Sequence, residues 1–376
     1  MKNNFLALCV LLSLSVSVFA EDPSPILTAV PSLSIAPDAR AGGMGDVGAA
    51  TSPDVNSQFW NPAKYVFMES DAGGSFSYTP WLRKLVGDID LMYLSGYWKL
   101  DQRQAVSGSL RYFSLGQIDL FGEDSYPAGT SHPNEYALDA SYSRLFSEKF
   151  SGAVTMRFIY SDLGNGIATE EMTPGWTVAA DIAAYYKTPI SVQNTDGNLA
   201  LGLNISNIGG KISYDNFSSS NFIPTNMRLG ASFDYPIDTY NKLSVSADVN
   251  KLLVPTQSSA KLQSDINYYN NLSPITGIFQ SFSDAPGGFK EEMQEIMWSV
   301  GAEYAYNNQF FVRGGYYNES QYKGNRKYFT AGAGFKLNVF QLDAGYVIST
   351  SQSNPLDQTL RFTLSFDLFG LKTLVQ

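Results

Sequence analysis

Apolar and polar side chains alternate along most of this chain, and residues 359–368 show the pattern most clearly. Every even position from Leu360 to Leu368 is leucine or phenylalanine, and every odd position is polar or charged. Because successive side chains of a strand point to opposite faces, this segment predicts a strand with one apolar and one polar face. Similar segments follow one another from about residue 73 to the C-terminus, which predicts an all-β fold.

Composition indicates where such strands lie. The chain has 23 Tyr and 24 Phe, yet its mean hydropathy is only −0.13. Beyond the first twenty residues, no stretch approaches the roughly 18 apolar residues of a membrane helix. Aromatic-rich strands with one polar face are typical of a transmembrane β-barrel with a polar lumen. A secreted β-sandwich is the alternative, although sandwiches rarely repeat so many hairpins in one domain.

The alternating segments predict about fourteen strands, and an even number is typical of single-chain bacterial barrels. Short turns are expected near residues 101–103, 147–148, 307–308 and 338, and long connections at residues 115–133, 163–174, 209–224 and 252–295. In outer-membrane barrels the short turns are periplasmic and the long loops extracellular. We therefore expect both termini on the periplasmic side. The alternation of short and long connections also requires a short turn within residues 188–198, but this stretch is longer than a turn. A misplaced strand end would explain the extra length.

The first twenty residues have the features of a secretory signal peptide. Lys2 precedes an apolar run from Phe5 to Phe19, and small residues flank the expected cleavage site after Ala20. Cys9, the single cysteine, lies in this segment, so we expect neither disulfides nor cysteine metal sites in the mature chain. The expected organisation is a signal peptide at 1–20, a plug segment at 21–72 and a transmembrane barrel at 73–376.

The segment at 21–72 differs from the strands because it is rich in glycine and has no sustained alternation. Gly42-Gly43-Met44-Gly45 is not a phosphate-binding loop, because no Lys-Ser/Thr follows it. A barrel of this width is filled or conducts, so we expect this segment to plug the lumen. Arg40 and Asp46 are the expected anchors, through charge-assisted hydrogen bonds. The predicted plug residues are Arg40, Gly42, Gly43, Asp46, Asn61, Pro62 and Ala63.

Catalytic and metal sites have little support in the sequence. His132 is the only histidine; Ser125 and Ser131 are near it, but nothing indicates an activated serine. Loop carboxylates such as Glu123, Asp124, Glu170 and Glu171 match no calcium-loop spacing. The net charge of −10 argues against nucleic acid as a partner. We therefore expect a non-enzymatic protein without a cofactor, a bound metal or a nucleic-acid partner.

Several motifs resemble the PorV family of the Bacteroidetes type IX secretion system, which is built on the barrel of the FadL fatty-acid transporters. The motifs are Pro37-Asp38-Ala39-Arg40-Ala41-Gly42-Gly43-Met44-Gly45-Asp46, Trp60-Asn61-Pro62-Ala63-Lys64, Asn207-Ile208-Gly209-Gly210-Lys211-Ile212, Gly324-Asn325-Arg326-Lys327-Tyr328-Phe329 and Thr359-Leu360-Arg361-Phe362. The resemblance covers essentially the whole mature chain.

The resemblance implies a protein of the outer membrane, surrounded by lipid and lipopolysaccharide. It implies a partnership with the translocon barrel of the secretion system, from which the protein receives the C-terminal domains of secreted cargo. It also implies delivery of that cargo to a surface sortase-like protease, which attaches it to lipopolysaccharide. A FadL-like transporter of hydrophobic small molecules and a general porin are the alternative functions.

The longest connection, residues 252–295, contains five aromatic residues that we predict to contact partners. They are Tyr268, Tyr269, Phe279, Phe282 and Phe289. Exposed aromatic side chains favour protein contact because they bury much area for little lost entropy. Alternatively, they pack on each other or form the aromatic belt at the membrane interface. A short helix is expected over residues 290–298.

Overall fold

Fourteen strands form a closed antiparallel barrel in the computed structural model of the chain. The structure describes residues 24–83, 86–121, 127–165, 173–192, 195–215, 220–257, 263–350 and 356–368. The expected signal peptide lies outside the described residues, as do Glu123, Asp124, Ser125, Glu170 and Glu171. The prediction of an all-β antiparallel barrel with about fourteen strands is confirmed.

Each barrel strand pairs with the next one along the chain, and the first pairs with the last to close the wall. Two further strands, Ile118–Phe121 and Pro127–Ser131, form a separate hairpin in the connection between the third and fourth barrel strands. The strands are β1 (Ala72–Pro80), β2 (Asp90–Asp101), β3 (Gln104–Ser114), β4 (Ile118–Phe121), β5 (Pro127–Ser131), β6 (Asn134–Ser147), β7 (Phe150–Asp162), β8 (Gly175–Val192), β9 (Thr195–Gly209), β10 (Asn226–Pro236), β11 (Asn241–Leu252), β12 (Ile296–Tyr306), β13 (Phe310–Asn318), β14 (Lys327–Leu337), β15 (Phe340–Ser349) and β16 (Leu360–Asp367).

Most large apolar side chains of the barrel strands face outward, as the alternation predicts, although a few such as Leu91 and Ile159 are buried inside. In β7, Val154 and Met156 are exposed, whereas Thr155 and Arg157 between and beside them are buried. In β16, Leu364 is exposed and Thr363 is fully buried. A wall that is apolar outside and polar inside follows directly from the two-residue period of a strand.

Short turns join the strands at one end of the barrel and long connections join them at the other. The long stretch at residues 188–198, which we expected to be a turn, belongs mostly to β8 and β9; these strands continue to Val192 and resume at Thr195. A misplaced strand end is therefore the explanation. Three short helices lie in the longest connection: Gln263–Asn271, Pro274–Gln280 and Phe289–Gln294. The helix expected over 290–298 ends early because β12 begins at Ile296.

Residues 24–71, here called the luminal segment, pass through the interior of the barrel. The segment contains 3₁₀ turns at Pro31–Ser34 and Pro62–Phe67 and helical turns at Ala39–Gly42 and Ser57–Trp60. Its beginning lies at the long-loop end, where the Ser24 N–H donates to the Tyr322 carbonyl at 2.8 Å. Its last residue lies at the short-turn end, where the Asp71 carbonyl accepts from the Lys99 N–H at 2.7 Å.

The described chain therefore begins and ends at opposite ends of the barrel. The Asp367 N–H donates to the Val339 carbonyl at 2.8 Å, which places the end of β16 at the short-turn end. The chain termini themselves, residues 21–23 and 369–376, lie outside the described residues, so the expected periplasmic position of both termini stays a prediction. With an even number of strands, the start of the first strand and the end of the last strand lie at the same end of the barrel. The luminal segment, which precedes the first strand, runs from there back through the lumen to the long-loop end. No helix among the described residues is long and apolar enough to cross a membrane.

Candidate functional site

Arg40 joins the luminal segment to the wall through a buried row of alternating charges. Its Nη1 lies 2.7 Å from Asp54 within the segment, and its Nη2 lies 3.0 Å from Glu303 on β12. The other Glu303 oxygen lies 2.6 Å from Nε of Arg313, whose Nη1 lies 2.6 Å from Asp343. Each charge in this row has a partner of opposite sign, which offsets the cost of removing it from water.

Asp46, which follows the helical turn Ala39–Gly42, makes the second charged attachment of the luminal segment to the wall. Its Oδ1 lies 2.6 Å from Nη1 of Arg361, whose side chain is 3% exposed, and its Oδ2 accepts from the Tyr328 hydroxyl at 2.6 Å. The Asp46 backbone has a φ of 60°, a left-handed conformation that aspartate tolerates better than most residues. The structure thus places both predicted anchors, Arg40 and Asp46, against charged groups of the wall.

The glycines of the motif allow the segment to approach the wall backbone to backbone. A Cβ on Gly43 would lie 3.0 Å from the Gly332 Cα. Gly45, which has a φ of 73°, is more restrictive, because its Cβ would lie 2.7 Å from the Tyr316 backbone nitrogen. A Cβ on Gly42 would lie 2.7 Å from the Arg361 Cδ. Larger residues at these positions would push the segment away from β13, β14 and Arg361.

The Asn61-Pro62-Ala63 element attaches the segment to the other side of the barrel. The Asn61 side-chain amide donates to the Ala184 carbonyl of β8 at 2.9 Å, and its Oδ1 accepts from the Ala63 N–H at 3.1 Å, which starts the 3₁₀ turn. The Pro62 carbonyl accepts from Ser143 at 2.8 Å, and the Ala63 carbonyl accepts from Ser151 at 2.6 Å. The motif therefore forms a hydrogen bond that starts its own turn and further hydrogen bonds to three neighbouring strands, β6, β7 and β8.

Sequence reasoning missed two buried residues of this segment. Asp38 caps the helical turn Ala39–Gly42 by accepting from the Ala41 N–H at 2.9 Å, and it also accepts from the Trp60 indole. An aspartate before a short helix is a recognisable capping signal, so this role could have been found. Lys64 is fully buried and donates to the Gly48 carbonyl at 2.9 Å. Nothing local in the sequence indicates that this lysine is buried.

Four of the five predicted partner-contacting aromatics are exposed, and one is not. Tyr268 is 59% exposed, Phe279 73%, Phe282 48% and Phe289 81%. Tyr269 is buried, with its ring edge-on to Phe222 at a centroid distance of 5.1 Å. The expectation that Tyr269 contacts a partner is therefore corrected, since this ring packs against the neighbouring connection between β9 and β10.

Residues 253–295, here called the long loop, carry two helices whose apolar residues face outward. Ile275 and Phe279 are exposed on Pro274–Gln280, and Phe289 and Met293 are exposed on Phe289–Gln294. Residues four apart lie on one face of a helix, so each helix presents an apolar pair to the outside. A surface helix normally does the reverse and buries its apolar stripe.

The carboxylates of the helix Phe289–Gln294, and of Glu295 directly after it, lie against two lysines. Lys251 lies 2.6 Å from Glu295 and 3.0 Å from Glu292; Lys323 lies 3.1 Å from Glu295 and 2.5 Å from Glu291. This lysine–glutamate cluster connects β11, the long loop and the connection between β13 and β14. The Glu291 carboxylate also accepts from the Ser24 hydroxyl at 3.0 Å, which brings the luminal segment into the same cluster.

Two ionisable groups in the long connections have shifted pKa values. Burial, together with the nearby carboxylates of Glu295 and Glu292, raises the pKa of Asp284 to about 6. Burial lowers the pKa of Lys211 to about 8. The Lys211 ammonium lies 4.2 Å from the centre of the Phe222 ring.

The described interior contains two notable cavities; polar and charged residues make up about half of the lining of the smaller one and most of the lining of the larger one. One, of about 80 Å³, lies in the long-loop half of the barrel; the other, of about 460 Å³, lies at the short-turn end. In the described part of the chain, no group of three or more His, Cys, Asp and Glu residues could hold a metal ion. The Ser131 hydroxyl donates to the Asn165 carbonyl at 2.7 Å, and no described contact joins it to His132.

Comparison with known proteins gives a family and a fold. The model of the family described as "Type IX secretion system protein PorV" matches residues 19–259. No match was found among curated proteins. Among solved structures, a TodX deltaS2S3 mutant monoaromatic hydrocarbon channel is 11% identical, with a TM-score of 0.54 over 88% of this chain and 98% of that one. The Pseudomonas putida toluene transporter TodX is 10% identical, with a TM-score of 0.52 over 87% of this chain and 96% of that one.

A Pseudomonas aeruginosa FadL homologue is 11% identical over 92% of this chain and 99% of that one, with a TM-score of 0.45. At these identities the likeness of the TodX structures concerns the fold alone.

Proposed function

The chain belongs to the PorV family of type IX secretion system proteins, and from that membership we propose that it is a non-enzymatic carrier of secreted cargo in the outer membrane. In this proposal the protein receives cargo C-terminal domains from the translocon barrel. It then passes them to the sortase-like protease at the surface, which attaches the cargo to lipopolysaccharide. Residues 1–20 act as the signal peptide, and the long loops face the cell exterior.

The outward-facing apolar pairs of the long loop are the observation that carries this proposal. Phe279 and Phe289 are the most exposed aromatic residues of the loop. Clustered exposed aromatics favour a protein interface, whose energy resides mainly in a few aromatic anchors. The lysine–glutamate cluster holds the helix Phe289–Gln294 with its apolar side outward. Phe289 and Met293 are therefore exposed on a helix that is firmly attached to the barrel.

The proposal predicts that the long loop captures cargo. Replacing Phe279, Phe282 and Phe289 together by alanine should weaken cargo capture by several kcal/mol, because aromatic anchors carry most of an interface's energy. The test is pull-down of a secreted protein with its C-terminal domain from cells that carry the triple variant. Barrel assembly should be unchanged, since none of the three side chains belongs to a strand.

Phe121→Ala is the matched control, because Phe121 is 65% exposed at the same end of the barrel in the β4–β5 hairpin. The control should capture cargo normally. Normal capture by the triple variant would remove the long loop from the proposed mechanism.

Transport of hydrophobic small molecules is the second candidate, favoured by the barrel fold shared with the TodX structures. A transporter of that kind needs an apolar passage, whereas the larger cavity has a mainly polar and charged lining and charged residues also line the smaller one. Loss of growth on a hydrophobic carbon source in a deletion strain, with cargo secretion intact, would favour transport over cargo handling.

A further inference from the structure

Four arginines line the cavity of about 80 Å³ in the long-loop half of the barrel, between the luminal segment and the wall. They are Arg111, Arg157, Arg228 and Arg326. Two carboxylates, Asp46 and Asp139, also line it. Whether this cavity carries a net positive charge depends on how these groups are paired.

Two of the arginines are neutralised by carboxylates. Arg157 lies 2.7 Å from Asp139 and 3.0 Å from Asp181. Arg326 lies 2.8 Å from Glu319. The remaining lining carboxylate, Asp46, is paired with Arg361. None of the lining carboxylates is therefore left for Arg111 or Arg228.

Arg111 and Arg228 form no ion pair with any residue that the structure describes. Arg111 is buried; its Nη1 donates to the Ser32 carbonyl at 2.5 Å, and its Nη2 has no hydrogen-bond partner among the described residues. Arg228 donates through Nε to the neutral Asn250 side chain at 2.8 Å. Both guanidinium groups lie over the Phe59 ring, at 4.9 and 5.5 Å from its centre.

Glu135 and Asp248 attract Arg111 and Arg228 only from beyond ion-pair distance. A buried charge without a close ion-pair partner is costly, and a guanidinium with unused donors is well shaped for an oxyanion. Contact with the Phe59 ring restrains both groups, so a bound oxyanion orders little more of the protein. The cavity volume of about 80 Å³ has room for several water molecules. It is well below the roughly 300–1,000 Å³ of pockets for drug-sized ligands.

We infer that a small oxyanion, a carboxylate or a phosphate group, binds in this cavity between Arg111 and Arg228. The oxyanion neutralises the two unpaired guanidinium groups. Phe59 and Trp60 form the aromatic floor beneath them, because the Arg228 guanidinium also lies 4.5 Å from the centre of the Trp60 ring. This inference does not depend on the proposed role in cargo transfer, since it concerns a different part of the molecule.

Trp60 provides the readout, because it is buried beside Arg228 whereas Trp98, Trp176 and Trp298 are exposed on the outside of the wall. The full chain in detergent micelles is titrated with sodium phosphate and, separately, with sodium acetate, against sodium chloride at equal ionic strength. We expect a saturable change in tryptophan emission with at least one of the two oxyanions. It should be absent with chloride and absent in Trp60→Phe. The salt that produces the change shows whether a carboxylate or a phosphate group binds.

Arg228→Gln and Arg111→Gln should each weaken binding at least tenfold, and Arg228→Lys should recover only part of the loss because ammonium lacks the planar fork. Arg103→Gln is the matched control, since Arg103 is exposed in the short turn between β2 and β3. Folding of each variant is checked by heat-modifiable mobility on gels. Equal responses to chloride, no response to either oxyanion, or unchanged binding in a folded Arg228→Gln would overturn the inference.

Discussion

At the scale of single residues, the attachment of the luminal segment depends on how many partners each buried charge has. Glu303 contacts two arginines, Arg40 and Arg313, so losing one leaves the other. Arg361 differs, because Asp46 is its only ion-pair partner among the described residues and its Nε has no hydrogen-bond partner there. Losing Arg40 therefore leaves Glu303 with a second partner, whereas losing Asp46 leaves Arg361 with none among the described residues.

Replacing Asp46 by alanine should be strongly destabilising. Removing one partner of a buried ion pair leaves an uncompensated charge, and the cost is about 3–5 kcal/mol. The measurement is the folded fraction of the purified barrel against urea concentration. The Asp46→Ala/Arg361→Ala double variant should lose less stability than the sum of the two single variants. Additive losses would show that the two side chains do not act as a pair.

At the scale of a strand, the two-residue period determines which substitutions the membrane tolerates. Leu364→Arg places a charge on the outer face and should cost about 2–4 kcal/mol if the position is near the bilayer midplane. Ser365→Arg should be milder, because Ser365 borders the cavity at the short-turn end. Urea titration in lipid vesicles measures both. A worse effect from Ser365→Arg would contradict the assigned register.

Asp284 should make a larger contribution to the packing of the long loop as the pH falls from 7 towards 4. Its pKa in the folded loop is about 6, against an ordinary value of 3.8. A pKa raised by folding contributes stability that is fully present below about pH 4 and is lost as pH rises through 6. Asp284→Asn removes the charge and keeps an oxygen that can accept from the Thr256 N–H. We therefore expect this variant to resist proteolysis within residues 253–295 better than the parent protein at pH 8.

Proteolysis at pH 4 should differ little between Asp284→Asn and the parent protein, because Asp284 is already protonated there. The pH dependence between 4 and 7 should be smaller in the variant. An unchanged pH dependence would assign the effect to other groups of the loop.

The strands could be predicted from the sequence because their signal is local, whereas most contacts of the luminal segment could not. The faces of β7 and β16 follow from alternation alone. The ends of β8 and β9 were misplaced because alternation weakens around Pro189. Asp46 and Arg361 are 315 positions apart, so no local pattern shows their pairing. Tyr268 and Tyr269 are adjacent and chemically identical, and only the position of Phe222 decides which of them is buried.

At the scale of the whole molecule, the luminal segment connects the two ends of the barrel. It enters beside the lysine–glutamate cluster through Ser24, crosses the lumen at Arg40 and Asp46, and leaves at Asp71. One continuous segment therefore contacts the long loop, the charged wall and the first strand. Removing it should affect permeability and the order of the long loop together.

Deleting residues 24–71 should open the barrel. A fourteen-strand wall encloses a lumen wide enough to need filling, and the described segment occupies it with buried contacts to strands on opposite sides. Conductance of single channels in planar bilayers should therefore rise well above that of the intact protein. Because deletion leaves the charges of Glu303 and Arg361 facing water, the variant barrel should still fold, as heat-modifiable mobility on gels can verify. If the intact protein already conducted steadily and deletion changed nothing, the segment would not be a plug and the general-porin function would be favoured.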